Sequence, residues 1–172
     1  MTPAELKALV RTIPDFPKAG IQFRDITTLI GHGPGFAATI EWLAREISDA
    51  EAIAGMEARG FIFGAAVAAR LELPFIPIRK PGKLPCRVIG VDYELEYGVD
   101  RLEMDSQSIP HDQAVAIVED HLVTGRSAAA PTALLRNTGR LVTPPAHVIY
   151  LPELGGREKR AAPTADGSGT LE

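Results

Sequence analysis

Two adjacent acids, Glu119 and Asp120, end an apolar run at residues 115–118 and lead into a small-residue turn, Thr124-Gly125-Arg126-Ser127. An alanine-rich segment with helical spacing follows. A strand entering a helix through such a turn aims backbone N–H groups and the helix's positive end at one spot, which suits phosphate. The acids repel phosphate. Beside it they suit ribose hydroxyls, or a magnesium ion held through water. The combination reads as a sugar-phosphate site, and a ligand-free strand, turn and helix of an α/β protein has the same spacing. The glycine-lysine signature of a P-loop is absent, which argues against a nucleoside triphosphatase.

The rest of the chain narrows the class. Its 172 residues suit one domain with a sizeable core, and 45% apolar with 23% charged residues is an ordinary globular balance. Net charge is −4, and basic residues are scattered except for Arg79, Lys80, Lys83 and Arg87. That argues against nucleic-acid binding and leaves room for one local anion site. The single cysteine, Cys86, has no partner for an internal disulfide and no Cys/His cluster around it for zinc, and it suits a reducing cytosol. No apolar run approaches the roughly 20 residues that cross a bilayer. The opening MTPAELKALV has no secretory pattern, so a cytoplasmic protein without membrane partners is expected.

Elements that position the acids follow from periodicity. Thr2 is placed to cap a first helix, with Pro3 at its first position, Glu5 at its third, and Leu6, Leu9 and Val10 on its apolar face. Residues 13–20 hold too much proline for a helix or a central strand. Residues 21–30 are short and mixed, 31–35 read as a loop, and Phe36, Ile40, Leu43 and Ile47 mark a helical stripe. Strands are expected at 52–56, 75–78, 115–118 and 147–151, and helices at 60–71 and 128–135. This alternation predicts an α/β fold, a parallel sheet flanked by helices, with ligands beyond the strands' carboxyl ends. Both acid-bearing turns, at Glu57 and at Glu119-Asp120, lie at such ends. Residues 80–105 read as a turn-rich loop followed by an alternating hairpin, the pattern of a lid arm. Residues 1–160 form a single domain on this reading, and the small, polar 161–172 a disordered tail.

Six segments carry a resemblance in a fixed order: FPKAGIQFRDIT (16–27), GMEARGFIFG (55–64), PIRKPGKLP (77–85), YELEYG (93–98), VEDHLVTGRSA (118–128) and LPELGGREK (151–159). Across most of residues 1–159 the chain resembles the adenine phosphoribosyltransferases, purine-salvage members of the type I phosphoribosyltransferases. The resemblance implies transfer of the 5-phosphoribosyl group from phosphoribosyl pyrophosphate to adenine, giving AMP and pyrophosphate. Magnesium would accompany the donor. The implied fold adds a small N-terminal hood and a lid arm to the sheet, usually in a homodimer.

The same resemblance assigns residues. The 5-phosphate would lie on the turn of Val123, Thr124, Gly125, Arg126 and Ser127. Glu119 and Asp120 would bond the ribose hydroxyls and oppose positive charge growing on the sugar as pyrophosphate departs. Arg59 would clamp pyrophosphate bidentately, with Lys80 and Lys83 adding charge from the lid loop. Glu96 would accept the proton that adenine loses on coupling, and Tyr97 would line or close the lid. Gln22, Phe23 and Arg24 correspond to the adenine pocket, with Phe23 stacked on the purine and Leu154 across from it.

The phosphate turn departs from the family pattern. Glu119 replaces an aspartate, His121 an apolar residue and Arg126 a glycine, and Pro131 falls in the following helix. Arginine resists the positive φ that glycine permits, and crowding of the phosphate is the expected consequence at 126. Arg126→Gly should therefore tighten donor binding in a calorimetric titration, and unchanged or weaker binding would refute the crowding. A second reading keeps the fold as a catalytically silent relative that binds a nucleotide or the donor. A third changes the purine, against which the FRDIT and LEYG segments argue.

Overall fold

The computed structural model describes residues 1–95, 98–108, 112–119, 129–138, 141–142 and 146–147. A short capped helix, α1 (Pro3–Ala8), comes first. Thr2 Oγ1 accepts from Glu5 N at 3.3 Å, and Glu5 Oε2 accepts from Thr2 N at 2.7 Å, so the expected capping box is complete. Thr2→Ala should lower the unfolding free energy by about 1 kcal/mol, read from a urea melt. An unchanged midpoint would show that burial of Leu6 alone holds the helix.

The proline-rich stretch lies between two strands of an antiparallel ribbon, β1 (Arg11–Pro14) and β2 (Gln22–Asp25), with Arg11 opposite Asp25 and Pro14 opposite Gln22. Each strand of a two-stranded ribbon is an edge, where a missing N–H does little harm. Then come α2 (Thr27–Ile30) and α3 (Gly33–Glu46). The loop expected over 31–35 is shorter than that, because α3 begins at Gly33. His32 Nδ1 accepts from Gly35 N at 3.0 Å and Pro34 sits in the first turn, a helix start hidden among three glycines.

The remaining elements are β3 (Ala52–Met56), α4 (Arg59–Leu71), β4 (Phe75–Ile78), β5 (Val88–Leu95), β6 (Gly98–Asp105), β7 (Ala114–Glu119), α5 (Ala129–Arg136), β8 (Leu141–Val142) and β9 (Ala146–His147). Among the described residues the main sheet is parallel, in the order β4-β3-β7, with β8 and β9 both pairing with β7. Ile53, Ala116 and Val118 face Phe63 and Val67 of α4 and Leu43 of α3. Ala52, Ala54, Val115 and Ile117 face Leu134 and Leu135 of α5 and Leu102 and Met104 of β6. Burial on both faces explains why these strands read as nearly unbroken apolar runs. The arm is a hairpin in register from Val88↔Asp105 to Leu95↔Gly98.

Of the expected strand at 147–151 only His147 is described, within β9; 148–151 and the 161–172 tail lie outside the described residues. Counted from Ala129, Pro131 is the third residue of α5, where a helix N–H has no partner within the helix. Among the described residues no helix is long and apolar enough to cross a membrane.

The sheet order has one consequence for function. The chain leaves β3 through α4 to reach β4 on one side, and leaves β7 through α5 to reach β8 on the other. Helices that depart from neighbouring strand ends on opposite faces open a crevice between them, and ligands of α/β proteins bind there.

Candidate active site

Gly55 and Gly60 set how closely α4 approaches the edge of this crevice. A Cβ on Gly60 would stand 3.1 Å from the Val118 carbonyl oxygen, and one on Gly55 would stand 2.7 Å from the Gly60 carbonyl oxygen. The first turn of α4 therefore lies against the carboxyl ends of β3 and β7. It brings Arg59, the first residue of α4, to the same end of the sheet as Glu119, which is 5% exposed. The Glu57–Ala58 peptide bond just before Arg59 is cis.

The N-terminal ribbon reaches the same place. The guanidinium carbon of Arg59 lies 5.7 Å from the centroid of the Phe23 ring, within cation–π range. Phe16 meets Phe23 edge to face at 5.2 Å. Gln22 and Arg24 are exposed, and the Arg24 guanidinium donates to Thr12 Oγ1 across the ribbon. Asp25 anchors the ribbon. It accepts from Thr27 Oγ1 at 2.7 Å, from Thr27 N at 2.9 Å and from Arg11 Nη2 at 2.5 Å.

Those bonds, first the Thr27 hydroxyl, then the Thr27 N–H and Arg11, hold the Asp25 carboxyl down at about 2 against an ordinary 3.8. A depressed acid stabilises the fold above its unfolded value and loses that contribution as pH falls through its folded value. Stability from Asp25 is thus complete above about pH 4 and disappears towards pH 2. In thermal melts across that window Asp25→Asn should show a shallower dependence of Tm on pH than the wild type. Parallel curves would exclude this role.

The lid loop is held from two sides. Glu57 Oε2 accepts from Arg79 Nε at 2.9 Å and Oε1 from Lys80 N at 3.1 Å. Burial pushes the Glu57 carboxyl up, but the Lys80 N–H and the Arg79 guanidinium outweigh it and leave the group below the usual range. Arg79 Nη1 also donates to the Lys83 carbonyl at 3.0 Å, while the Lys83 side chain is exposed. Lys80 Nζ donates to Asp100 Oδ2 and, at 2.9 Å, to Tyr93 Oη. Burial alone would lower the Lys80 ammonium's pKa; the Asp100 carboxylate and Tyr93 hydroxyl reverse this and raise it.

The structure thus gathers Arg59, Phe23 and Glu119 at one end of the sheet, with Lys80 joined to the Arg59 turn through Glu57. Arg24 is turned to Thr12. Glu96, Tyr97, Asp120, Val123, Thr124, Gly125, Arg126, Ser127 and Leu154 lie outside the described residues. Arg79, Tyr93 and Asp100 enter as supports that sequence reasoning missed. Hairpin alternation hinted at the last two, which are cross-strand partners. Among the described residues no group of three or more His, Cys, Asp or Glu side chains stands together to hold a metal ion.

No protein-family model matches the chain. The adenine phosphoribosyltransferase of Erythrobacter litoralis is 60% identical over 161 residues, covering 92% of this chain and 90% of its own. The crystal structure of the Thermoanaerobacter pseudethanolicus adenine phosphoribosyltransferase superposes with a TM-score of 0.80 at 43% identity, covering 85% of this chain and 86% of its own. The Saccharomyces cerevisiae enzyme, solved with an imino-altritol bisphosphate and adenine, gives a TM-score of 0.76 at 35% identity over 81% and 83% of the two chains. Identity and coverage of this extent, on a parallel sheet flanked by helices, show that the chain belongs to the adenine phosphoribosyltransferase family.

Proposed function

We propose that the protein transfers the 5-phosphoribosyl group of phosphoribosyl pyrophosphate to adenine, releasing AMP and pyrophosphate, in purine salvage. The observation that carries this reading is the position of Arg59, in range of the Phe23 ring and at the sheet end that bears Glu119. One cation there can reach both the leaving group and the edge of a purine stacked on Phe23. The silent-relative reading loses ground to the 60% identity with a named transferase.

In the reaction the glycosidic nitrogen of adenine bonds to C1 of the ribose as the C1–O bond to pyrophosphate breaks. The departing oxygens take the electron pair, and Arg59 stabilises their charge. Glu119 and Asp120 bond the ribose hydroxyls and oppose the positive charge of the oxocarbenium-like sugar. Glu96 takes the proton from adenine, Tyr97 and Leu154 close over the base, and the 123–127 turn holds the 5-phosphate. Magnesium arrives on the donor's pyrophosphate as part of the substrate. A cytoplasmic homodimer completes the proposal.

The test is to incubate the protein with magnesium, phosphoribosyl pyrophosphate and adenine, hypoxanthine or guanine, and to separate nucleotides by chromatography. AMP is expected from adenine, with little product from the other purines. A folded sample that makes no AMP would end the reading.

A further inference from the structure

Lys80 sits between the two halves of the candidate site. Its backbone N–H is fixed to Glu57, in the turn that carries Arg59, and its side chain reaches into the arm. There it grips a cross-strand pair, since Tyr93 and Asp100 face each other in the hairpin register. The three groups close a ring: Lys80 Nζ donates to Asp100 Oδ2 and to Tyr93 Oη, and Tyr93 Oη donates to the same Oδ2 at 3.0 Å. Asp100 Oδ1 accepts from Arg101 N at 2.8 Å, so both carboxylate oxygens are engaged. Only two register pairs, Glu94↔Val99 and Leu95↔Gly98, separate this grip from residues 96 and 97.

The ion pair is also accessible. The Lys80 and Asp100 side chains are 40% and 30% exposed, and pairs so exposed to water hold weakly. A lysine bound to a carboxylate offers little charge to an incoming anion, and that carboxylate repels the anion as well. A pyrophosphate with several negative charges outbids one half-exposed carboxylate for the ammonium.

Resting on the phosphoribosyltransferase reading above, we propose that Tyr93 and Asp100 form a latch that ties Lys80 to the lid arm. The donor's pyrophosphate opens the latch by taking the ammonium from Asp100. Asp100 is then a positioning residue that acts through Lys80. Its presence weakens donor binding while it orders the arm in the free protein.

The test pairs calorimetric binding of the magnesium–phosphoribosyl pyrophosphate complex with hydrogen exchange of the β5 and β6 amides. Asp100→Asn keeps the side chain's shape and removes its charge. It should bind the donor about 2- to 5-fold more tightly, the range a weak ion pair allows. Its arm amides should exchange faster than wild type in the absence of donor. Lys80→Met should show the same fast exchange with weakened donor binding, which separates loss of the cation from loss of the latch. Tighter binding from a substitution that loosens the arm is not what a merely structural tie produces. If wild type binds the donor and Asp100→Asn gains nothing, the latch is wrong and the functional reading stands. A wild type that binds no donor overturns both.

Discussion

Arg59→Ala should lower kcat/KM for AMP formation about 100- to 1000-fold, the loss seen when one donor to developing negative charge is removed. Arg59 begins α4 at the carboxyl end of β3, on the edge of the crevice between β3 and β7. Its planar fork matches two phosphate oxygens at once, which the ammonium of a lysine cannot do. Arg59→Lys should therefore recover only part of the loss. Both the KM for the donor and kcat should suffer, since the pyrophosphate is bound in the ground state and gains charge as the bond breaks. The KM for adenine should shift too, because the guanidinium lies 5.7 Å from the Phe23 ring. A loss below about threefold for Arg59→Ala, small against the expected range, would move the pyrophosphate clamp elsewhere.

The alternation of strands and helices was legible because β3 and β7 are buried on both faces, so each is a short apolar run that stands out in the sequence. The hairpin was legible from the alternation of apolar and polar residue types over 91–104, although Leu102, Glu103 and Met104 are all buried. The start of α3 was hidden, since a histidine cap followed by glycine and proline looks like a loop. Within the site, Glu119 could be placed by asking which residues stand at strand ends, whereas the role of Arg59 came with the family resemblance. Phe23 could not be placed so, since without the family resemblance it passes for an ordinary core residue, and only the fold brings it to Arg59. The partners of Arg79 and Lys80 were unreadable because they lie 22, 13 and 20 residues away, across turns whose packing no local pattern encodes.

Gly55→Ala should damage stability and catalysis together, a coupling that follows from what stands opposite its missing side chain. The added methyl would lie 2.7 Å from the Gly60 carbonyl oxygen, 3.1 Å from its carbonyl carbon and 3.1 Å from Phe75 Cε2. Phe75 can rotate, but the Gly60 carbonyl belongs to the first turn of α4 and moves only with that turn. The turn is confined in its own direction, since Gly60 already lies close to the Val118 carbonyl of β7. Overpacking of this kind costs about 1–3 kcal/mol, and relief requires α4 to lift its N-terminus, with Arg59, away from the sheet. A displacement of about 1 Å in a group that must meet a transition state can cost about 100-fold in rate. Gly33→Ala provides the contrast, because apart from its chain neighbours nothing lies within 4 Å of its added methyl. That substitution should leave AMP formation unchanged and lower stability only modestly, because the added methyl crowds the ring of Pro34. Urea melts and steady-state kinetics on the two variants separate a general intolerance of alanine from the close approach of α4. If Gly55→Ala lost stability but kept full kcat/KM, the position of Arg59 would not depend on this contact.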